Sequence, residues 1–446
     1  MGGKLPRSLC PTEPGFSPLL KFRFTVWPQT ARMADTVRAE PGILDRVLAV
    51  LREGAWLDRS RLSVYPWILL GAYLLAAALY IGTSHGLIDS NGKPLGPDYI
   101  DVYAASQMAQ AGHPAAIYDW SQHRAAESAV FGGRNIPYYG WHYPPFFLLI
   151  ALPLAALPYG WSLLAYLAAT FAGYAATLWR IVKHDRKGML LAIAFPGVFS
   201  NALHGQNGFL TVTLLGLGLL WMEDLPWIAG VALGLLIYKP QFAGLALLMP
   251  LVTGRWRVVA SAVVTIAVLA FATVALFGIE TWQAFIASTS LTRTIVLEQG
   301  STGWERIQSV FSAVRMLGGG IGFAYAVQIA VAVAAVVASI WAWRKDLPFE
   351  LRAAILCLAT TLITPYLLDY DLVLLALPIA WLVLDGRAHG FLPWEKTMLF
   401  ALWLLPLVSR AVGGALHIPL GAPVLLLGFG IAIRRAYATN RIEEMT

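Results

Sequence analysis

The chain has 446 residues, of which 58% are hydrophobic and only 13% charged, and its mean hydropathy is +0.64. A soluble domain carries about 25% charged residues, so the composition excludes an ordinary soluble protein and indicates one embedded in a membrane. The net charge of +7 would suit a nucleic-acid partner, but no basic run interleaved with aromatics supports one. Basic loops on the cytoplasmic side explain the excess.

The first part of the chain reads as a cytoplasmic leader, residues 1–62. Residues 1–32 are Pro-rich and lack both a helical period and a signal-peptide core. We expect either that Met33 is the natural start or that residues 1–32 are disordered. An amphipathic segment follows from Ile43 to Leu51. The two cysteines, Cys10 and Cys357, are too few for a disulfide framework.

Long uncharged stretches predict a transmembrane domain over residues 63–435, followed by a cytoplasmic tail of residues 436–446. A helix needs about 20 apolar residues to cross a bilayer. The clearest stretches are Val64–Gly82, Val258–Phe277, Ile321–Trp343 and Leu351–Leu368. Several shorter apolar segments lie between them. The sequence therefore predicts an all-α polytopic membrane protein with about twelve transmembrane segments.

Basic residues give the orientation, since they mark cytoplasmic loops. Five arginines between residues 38 and 61 precede the first span, and further basic clusters lie near residues 180–187, 255–257, 344–345 and 434–441. Placing them inside puts both termini in the cytoplasm. It also places residues 84–143 and 280–319 outside, together with three short turns. Pro144–Leu157 is short and bounded by prolines, so we expect a re-entrant helix there.

Two acidic residues stand out in the first external loop, directly after the first span. Asp98 and Asp101 are near the membrane surface, where a carboxylate acts as a base, a metal ligand or a contact for a lipid headgroup. A solvated loop is the plain alternative. Where the chain re-enters the membrane, His142 and Tyr143 are candidates for substrate binding, although aromatics at this depth also form interfacial belts.

Further polar residues occupy the predicted external turns. Gln206 and Asn207 lie between two short apolar segments, and Lys239 and Gln241 lie in the next such turn. An ionisable group at membrane depth is costly and usually functional. Lys239 is therefore predicted to hold a phosphate as a point charge, with snorkelling to the interface as the alternative. The remaining candidates for donor or acceptor binding are Trp304, Gln308, Asp369 and Asp371.

Several common sites are missing from the sequence. It has no P-loop, dinucleotide glycine pattern, HExxH pair or nucleophile elbow. We therefore predict no cofactor and no metal site, with a divalent metal left open, and no chemistry driven by a nucleotide.

Taken in order, the external motifs resemble glycosyltransferase family 87, which includes polyprenol-phosphate-mannose-dependent mannosyltransferases of bacteria. The resemblance extends from about Gly96 to Arg435. It rests on the following motifs and their spacing: Asp98-Tyr99, Ala104-Ala105, Gly112, Tyr118-Asp119, Tyr143-Pro144-Pro145, Gly205-Gln206-Asn207, Lys239-Pro240-Gln241, Arg255-Trp256-Arg257 and Thr364-Pro365-Tyr366. Two positions depart from the family pattern: Val102 replaces a common aromatic, and Asp101 is an additional acid.

The resemblance implies a type C glycosyltransferase fold, a helical membrane bundle with an extracytoplasmic active site. It implies transfer of a hexose, mannose by analogy, from a polyprenyl-phosphate sugar to a lipid or glycan acceptor with inversion. Asp98 corresponds to the family's catalytic base, and Asp101 takes a secondary role. The expected location is the bacterial inner membrane, with membrane lipids as partners.

Two other functions are compatible with the sequence. A transporter or lipid flippase would explain a helical bundle and Lys239, but it would not explain the acidic external loop. An enzyme resembling O-antigen ligases or acyl transferases would share the need to bind a lipid phosphate. The sequence names neither the sugar, the acceptor nor the oligomeric state.

Overall fold

The computed structural model describes residues 42–443, with side chains up to Arg441. The expectations for residues 1–32, for Met33 as the start and for Cys10 lie outside these residues. A compact unit begins at Val47. Apart from the first residues of α1, it holds every feature described below.

Between residues 42 and 443 the chain forms α-helices, short 3-10 or π turns, and no β-strand. The α-helices that begin before residue 210 are, in chain order, α1 Ile43–Glu53, α2 Arg61–Gly82, α3 Tyr99–Gln110, α4 Trp120–Val130, α5 Phe146–Ala151, α6 Tyr159–Ile181, α7 Arg186–Ile193, α8 Pro196–His204 and α9 Gly208–Leu220. The rest are α10 Pro226–Leu235, α11 Pro240–Val252, α12 Trp256–Phe277, α13 Ile279–Thr292, α14 Val310–Met316, α15 Ile321–Arg344, α16 Phe349–Ile363, α17 Ala376–His389, α18 Glu395–Leu416 and α19 Gly421–Glu443. An all-helical protein was expected.

Six helices of the described part are long and apolar enough to cross a membrane. They are Arg61–Gly82, Tyr159–Ile181, Trp256–Phe277, Ile321–Arg344, Asp369–His389 and Glu395–Leu416, where the fifth combines a 3-10 turn with α17. Four shorter apolar helices accompany them: Phe146–Ala156, Gly208–Leu220, Pro226–Tyr238 and Pro240–Val252. Together these helices identify a polytopic membrane protein.

One predicted span ends earlier than expected. The stretch Leu351–Leu368 is not a single helix, because α16 stops at Ile363 and Thr364 is extended with ψ 135°. The cause is Pro365, since a proline disfavours helical geometry in the residue before it. The residues that follow, up to Leu368, form a loop instead and become part of the functional site.

The segment expected to be re-entrant is a short broken helix. The apolar helix Phe146–Ala156 extends about 16 Å at 1.5 Å per residue, well short of a hydrocarbon core of about 30 Å. Its re-entrant placement stays a prediction.

Local sequence signals explain where many helices begin. Asp119 caps α4 by accepting hydrogen bonds from the backbone N–H groups of Ser121 and Gln122. The hydroxyl of Ser121 and the side-chain amide of Gln122 also donate to it, and these bonds together lower the pKa of Asp119 to about 2. Prolines occupy the first turn of α8, α10 and α11, where their missing N–H costs nothing.

Helix α3 is fixed deep in the bundle. Every residue from Tyr99 to Ser106 is buried. The hydroxyl of Tyr99 lies 2.5 Å from that of Ser162 on α6, and Tyr159 donates to the carbonyl of Leu95 at 2.7 Å. These bonds tie the end of the loop before α3, and the first residue of α3, to α6. The helix therefore presents its N-terminal acids at a defined position.

A second anchor joins two distant segments outside the helices. Ile307 pairs with Leu368 in an isolated antiparallel bridge, and the backbone N–H of Gln308 donates to the carbonyl of Leu367 at 2.6 Å. The segment around residue 306 is thereby held against the loop that follows α16.

Candidate active site

The predicted external segments meet around one cavity of about 690 Å³. It lies where the N-terminus of α3, the loop before α5, and the turns before α9, α11 and α17 come together. Nine of the twelve predicted site residues line it: Asp98, Asp101, His142, Tyr143, Gln206, Lys239, Gln241, Asp369 and Asp371. They are far apart in sequence, so only the fold brings them together.

Asp98 occupies the N-cap position of α3 and is held from two sides. Its backbone N–H donates to the carbonyl of His204 at 2.9 Å. The amide of Gln206 donates to its Oδ2 atom at 3.2 Å. Burial raises the pKa of Asp98, while the bond from Gln206 opposes that rise. Asp98 is thus a carboxylate of increased basicity, one side of which faces the cavity.

A glycine permits this close approach. Gly205 ends α8 with φ +71°, and a Cβ atom there would lie 2.7 Å from the Cβ atom of Tyr99. Any other residue would force α8 away from α3, and the bond between Gln206 and Asp98 would be lost.

Asp101 lies in the first turn of α3 with a different environment. Its Oδ1 atom is buried without a hydrogen-bond partner in the described chain. Burial raises its pKa well above the ordinary value, and the charges of Asp98 and Glu127 raise it further. Two neighbouring buried carboxyl groups resist a double negative charge. The hydrogen bond from the Gln206 amide stabilises the charged form of Asp98. Of the two carboxyl groups, Asp101 is therefore the one that keeps a proton.

Behind Asp101 lies a buried pair that the sequence did not single out. Glu127 accepts a hydrogen bond from the backbone N–H of Tyr139 at 3.1 Å, which fixes the loop before α5. Burial raises the pKa of Glu127 to about 9. The Nε2 atom of His123 lies 3.2 Å from the carbonyl of Asp101, so this nitrogen carries the proton and donates. Burial lowers the pKa of His123 to about 4, and both side chains are uncharged near neutral pH.

Lys239 faces the cavity but is already paired. Its Nζ atom lies 2.6 Å from Oδ1 of Asp371, and both side chains are almost fully buried. The ammonium also lies over the rings of Phe242 and Tyr370, at 5.5 and 5.7 Å from their centroids. Oδ2 of Asp371 accepts from the backbone N–H of Leu368 at 3.3 Å. The pair therefore joins the turn before α11 to the loop after α16.

Arg410 and Asp369 form a second pair on the cavity wall. Nη1 of Arg410 lies 3.1 Å from Oδ2 of Asp369 and 3.2 Å from Nε2 of His204. Because Nδ1 of His204 contacts the carbonyl of Ser200 at 2.8 Å, that nitrogen donates and Nε2 accepts from Arg410. The neutral imidazole satisfies both contacts.

Arg306 is a cavity-lining cation without a counter-ion among residues 42–443, and Lys93 is another. It lies in a short turn, Trp304–Arg306, lines the cavity and is half-buried. Within residues 42–443 its guanidinium makes no ion pair and no hydrogen bond. Its charge lowers the pKa of Asp98. An unpaired guanidinium in a cavity is suited to bind a planar or phosphate anion.

Three predicted residues lie behind the wall. The side-chain amide of Asn207 is buried, and neither of its polar atoms has a partner among the described residues. Trp304 lies under Arg315, whose guanidinium is 4.7 Å from the ring centroid. Gln308 donates to the carbonyl of Glu305 at 2.7 Å. Trp304 and Gln308 support the turn that carries Arg306.

The sequence analysis did not select Arg306, Arg410 or Glu127. Arg410 could have been found, because a charge inside a long apolar span usually marks a functional site. Arg306 lies in the external segment already noted, next to the selected Trp304, but nothing local distinguishes it from the other cations there. In the described part of the chain, no group of three His, Cys, Asp or Glu side chains is placed to hold a metal ion.

The fold and this cavity define a class: a polytopic membrane protein with buried carboxyl groups and an unpaired cation around one polar cavity. The model of glycosyltransferase family 87 matches residues 141–365, just over half of the chain. The chain therefore belongs to glycosyltransferase family 87 and is a membrane glycosyltransferase. No curated protein and no solved structure matches it. The family match confirms the resemblance expected from the motifs.

Proposed function

We propose that this glycosyltransferase moves a hexose, mannose by family analogy, from a polyprenyl-phosphate sugar to a hydroxyl of a lipid or glycan acceptor. Transfer occurs with inversion at the extracytoplasmic face of the bacterial inner membrane. The observation that carries the proposal is the combination in one cavity of a buried, basic carboxylate, Asp98, with an unpaired guanidinium, Arg306. Sugar transfer from a lipid phosphate needs both groups.

Asp98 is the general base. It takes the proton of the acceptor hydroxyl while that oxygen bonds to the anomeric carbon from the face opposite the phosphate. The bond between the anomeric carbon and the phosphate oxygen breaks, and its electron pair leaves with the polyprenyl phosphate. Burial, which raises the pKa of Asp98, strengthens it as a base. The bond from Gln206 keeps its carboxylate oriented toward the acceptor.

Arg306 receives the phosphate. The leaving group gains negative charge as the bond breaks, and a preformed cation stabilises that charge most when the site excludes water. Lys239, which the sequence put forward for this role, is neutralised by Asp371 at 2.6 Å. In this proposal the Lys239–Asp371 pair shapes the wall. His142, Tyr143, Gln241 and Asp369 supply polar contacts for the sugar and the acceptor.

The orientation follows from which segments share the cavity. Residues 98–101, 142–143, 206, 239–241, 306 and 369–371 line it, and the charge rule independently placed all of them outside the cell. This agreement supports an extracytoplasmic site with both termini in the cytoplasm. We propose that six further segments (α7–α8, α9, α10, α11, α16 and α19) complete about twelve crossings of a type C arrangement, with Phe146–Ala156 re-entrant. Short helices can span where packing or local thinning permits.

A transfer assay tests the function. Purified protein in lipid nanodiscs is incubated with radiolabelled polyprenyl-phosphate mannose and an extract of bacterial membrane lipids, and the products are separated by thin-layer chromatography. The label should move into an acceptor, with an equal amount of polyprenyl phosphate released and an inverted anomeric centre in the product. Movement of the intact donor across a vesicle bilayer, without any product, would instead identify a flippase.

A further inference from the structure

Helix α1 has an apolar side that the rest of the described chain leaves uncovered. At about 100° per residue, its apolar side chains fall within an arc of about 160° and its charged side chains lie opposite. The apolar ones are Ile43, Leu44, Val47, Leu48, Val50 and Leu51, and the charged ones are Asp45, Arg46, Arg52 and Glu53. Every residue of α1 except Leu51 is exposed. A helix this short is marginal by itself in water, so its apolar side needs a partner.

The end of α1 is fixed against the start of α18. The backbone N–H of Trp394 donates to the carbonyl of Arg52 at 2.6 Å, and the hydroxyl of Thr397 donates to the carbonyl of Leu51 at 2.6 Å. These bonds satisfy carbonyl groups that the end of a helix leaves without partners. Trp394 donates from left-handed backbone with φ +73°, which a residue other than glycine rarely adopts. The fold therefore determines where α1 ends.

This attachment places the end of α1 where two candidate spans begin. The helix α18 is one of them, and α2, the first, starts at Arg61 and is separated from α1 by residues 54–60. Within that connection, the ring of Trp56 contacts the ring of Phe400 on α18, with centroids 4.8 Å apart. In the first turns of α2, Tyr65 and Trp67 are 56% and 65% exposed, as expected of aromatics at a membrane interface. Helix α1 therefore ends at a membrane surface.

The charges around the end of α1 are complementary to anionic headgroups. Arg434 donates to the carbonyl of Pro393, beside Trp394, at 2.6 Å, and a Cβ atom on Gly54 would lie 2.6 Å from the Cβ atom of Lys396. The basic residues at this surface outnumber the acidic ones: Arg52, Arg59, Arg61, Lys396 and Arg434 against Glu53 and Asp58. Anionic lipids attract such clusters, and the charge rule predicts that this surface is cytoplasmic.

We propose that α1 lies in the headgroup layer of the membrane, with its apolar side toward the acyl chains and its charged side toward water. The partner of the uncovered side is thus the anionic surface of the bilayer that α2 and α18 cross. An interfacial helix of this kind is buried about 5–10 Å into the boundary between headgroups and acyl chains. Because α1 is bonded to α18, it also holds the start of that span at a fixed depth.

Nitroxide labels on the full chain test this placement. Cys10 is replaced by serine, Cys357 is buried, and single cysteines are introduced at Val47 or Leu48, on the apolar side, or at Ala49, on the opposite side. Each labelled protein is placed in nanodiscs of phosphatidylethanolamine and phosphatidylglycerol. Its collisions with oxygen, which concentrates among acyl chains, and with a nickel chelate, which stays in water, are then measured by electron paramagnetic resonance.

The labels should report opposite environments on the two sides of α1. Those at Val47 and Leu48 should lie about 5–10 Å deep, with frequent oxygen collisions and few nickel collisions, whereas the label at Ala49 should collide freely with nickel. Burial against protein lowers both kinds of collision. Loss of both at Val47 and Leu48 would therefore identify a second copy or another segment of the chain as the partner. That result, or free collision with nickel at all three positions, would overturn the inference.

Leu48→Glu and Ala49→Glu are a matched pair that adds the same charge to opposite sides of α1. Glutamate is a good helix former, so neither change should unfold the helix. Leu48→Glu should move a label at Val47 out of the membrane, a shift of about 5–10 Å, because a charge is costly among acyl chains. Ala49→Glu should leave the label in place, and equal depths in the two variants would contradict the proposal. No substrate is present, so the outcome is independent of the transfer reaction.

Discussion

Two buried clusters of charge in this protein are built in opposite ways. The first, which we call the Arg435 cluster, consists of Arg435, Asp385 and Glu395 and joins α19, α17 and the start of α18. Arg435 binds the carboxylate of Asp385, contacts Oε2 of Glu395 at 2.8 Å, and donates to the carbonyls of Gly390 and Asp385 at 3.0 Å each. Each of its guanidinium nitrogens has an acceptor.

The second cluster surrounds the cavity and is left incomplete. Asp101 keeps a buried oxygen without a partner, and Arg306 has no counter-ion within residues 42–443. Unsatisfied buried polar groups are costly to folding. In the Arg435 cluster the charges bind one another and His389, and only Oε1 of Glu395 lacks a partner among the described residues. Around the cavity the charges face a space large enough for a substrate. The first arrangement favours stability and the second favours ligand binding.

The largest effect should follow from removing the base. Asp98→Asn should lower the turnover number at least about 100-fold, since a general base contributes roughly 10²–10⁴-fold. Expression and binding of the lipid donor should be nearly unchanged, because asparagine can still accept the bond from Gln206. The measurement is single-turnover transfer of labelled sugar, with membrane content quantified in parallel.

Asp119→Asn is the matched control for Asp98. Both acids occupy helix N-cap positions between residues 84 and 143, but Asp119 is exposed and outside the cavity. Asparagine caps helices as well as aspartate does, so turnover should stay within about twofold. Near-normal turnover in Asp98→Asn would remove Asp98 from the reaction, and a loss confined to Asp101→Asn would transfer the role to Asp101.

Breaking the Arg435 cluster should damage folding and leave the chemistry intact. Arg435→Met leaves two buried carboxylates without their counter-ion. Breaking a buried ion pair in this way lowers the free energy of unfolding by about 3–5 kcal/mol. Thermal unfolding in detergent, followed by tryptophan fluorescence, should show a large fall in the transition temperature. The protein that remains folded should have the wild-type KM for the donor. A changed KM with unchanged stability would reverse the roles assigned to the two clusters.

Arg306→Gln should give the opposite result. Loss of a charge-assisted hydrogen bond costs about 1.5–3 kcal/mol, so the donor KM should rise roughly 10- to 100-fold. Stability should be unchanged, because the wild-type guanidinium has no partner to lose. Arg134→Gln, at an exposed arginine of the same face that lines no cavity, should change neither quantity. An unchanged donor KM in Arg306→Gln would exclude it as the phosphate contact.

Glu127 gives the smallest effect and a defined pH dependence. Its pKa is about 9 in the folded protein against an ordinary value of 4.5, so the folded state holds a proton that the unfolded state releases. Wild type should therefore lose stability as pH rises from about 5 to about 9. Glu127→Gln keeps the acceptor for Tyr139 but has no proton to release. As pH rises from about 5 to about 9, the transition temperature of Glu127→Gln should increase by at least about 2 °C relative to that of wild type. A difference between the two proteins that stays constant with pH would contradict the raised pKa of Glu127.

Much of the architecture was predictable because its causes are local. Three of the four clearest apolar stretches lie within the long helices α2, α12 and α15, since length and hydropathy decide whether a helix suits a membrane. The exception is Leu351–Leu368, where the prediction of one continuous helix was wrong because of a single residue, Pro365. The candidate site was found in outline for a related reason, because polar residues at membrane depth are rare and therefore conspicuous.

The sequence by itself determined the class of protein, its helical composition, and most of the polar residues that the cavity uses. Only the tertiary structure determined which charged side chains lack a counter-ion within residues 42–443. Lys239 and Arg306 are both cations in segments predicted to be external, and no local pattern separates them. The fold brings Asp371 to 2.6 Å from Lys239 and leaves Arg306 unpaired, because ion pairing depends on distances between residues more than a hundred positions apart. Local sequence does not encode those distances.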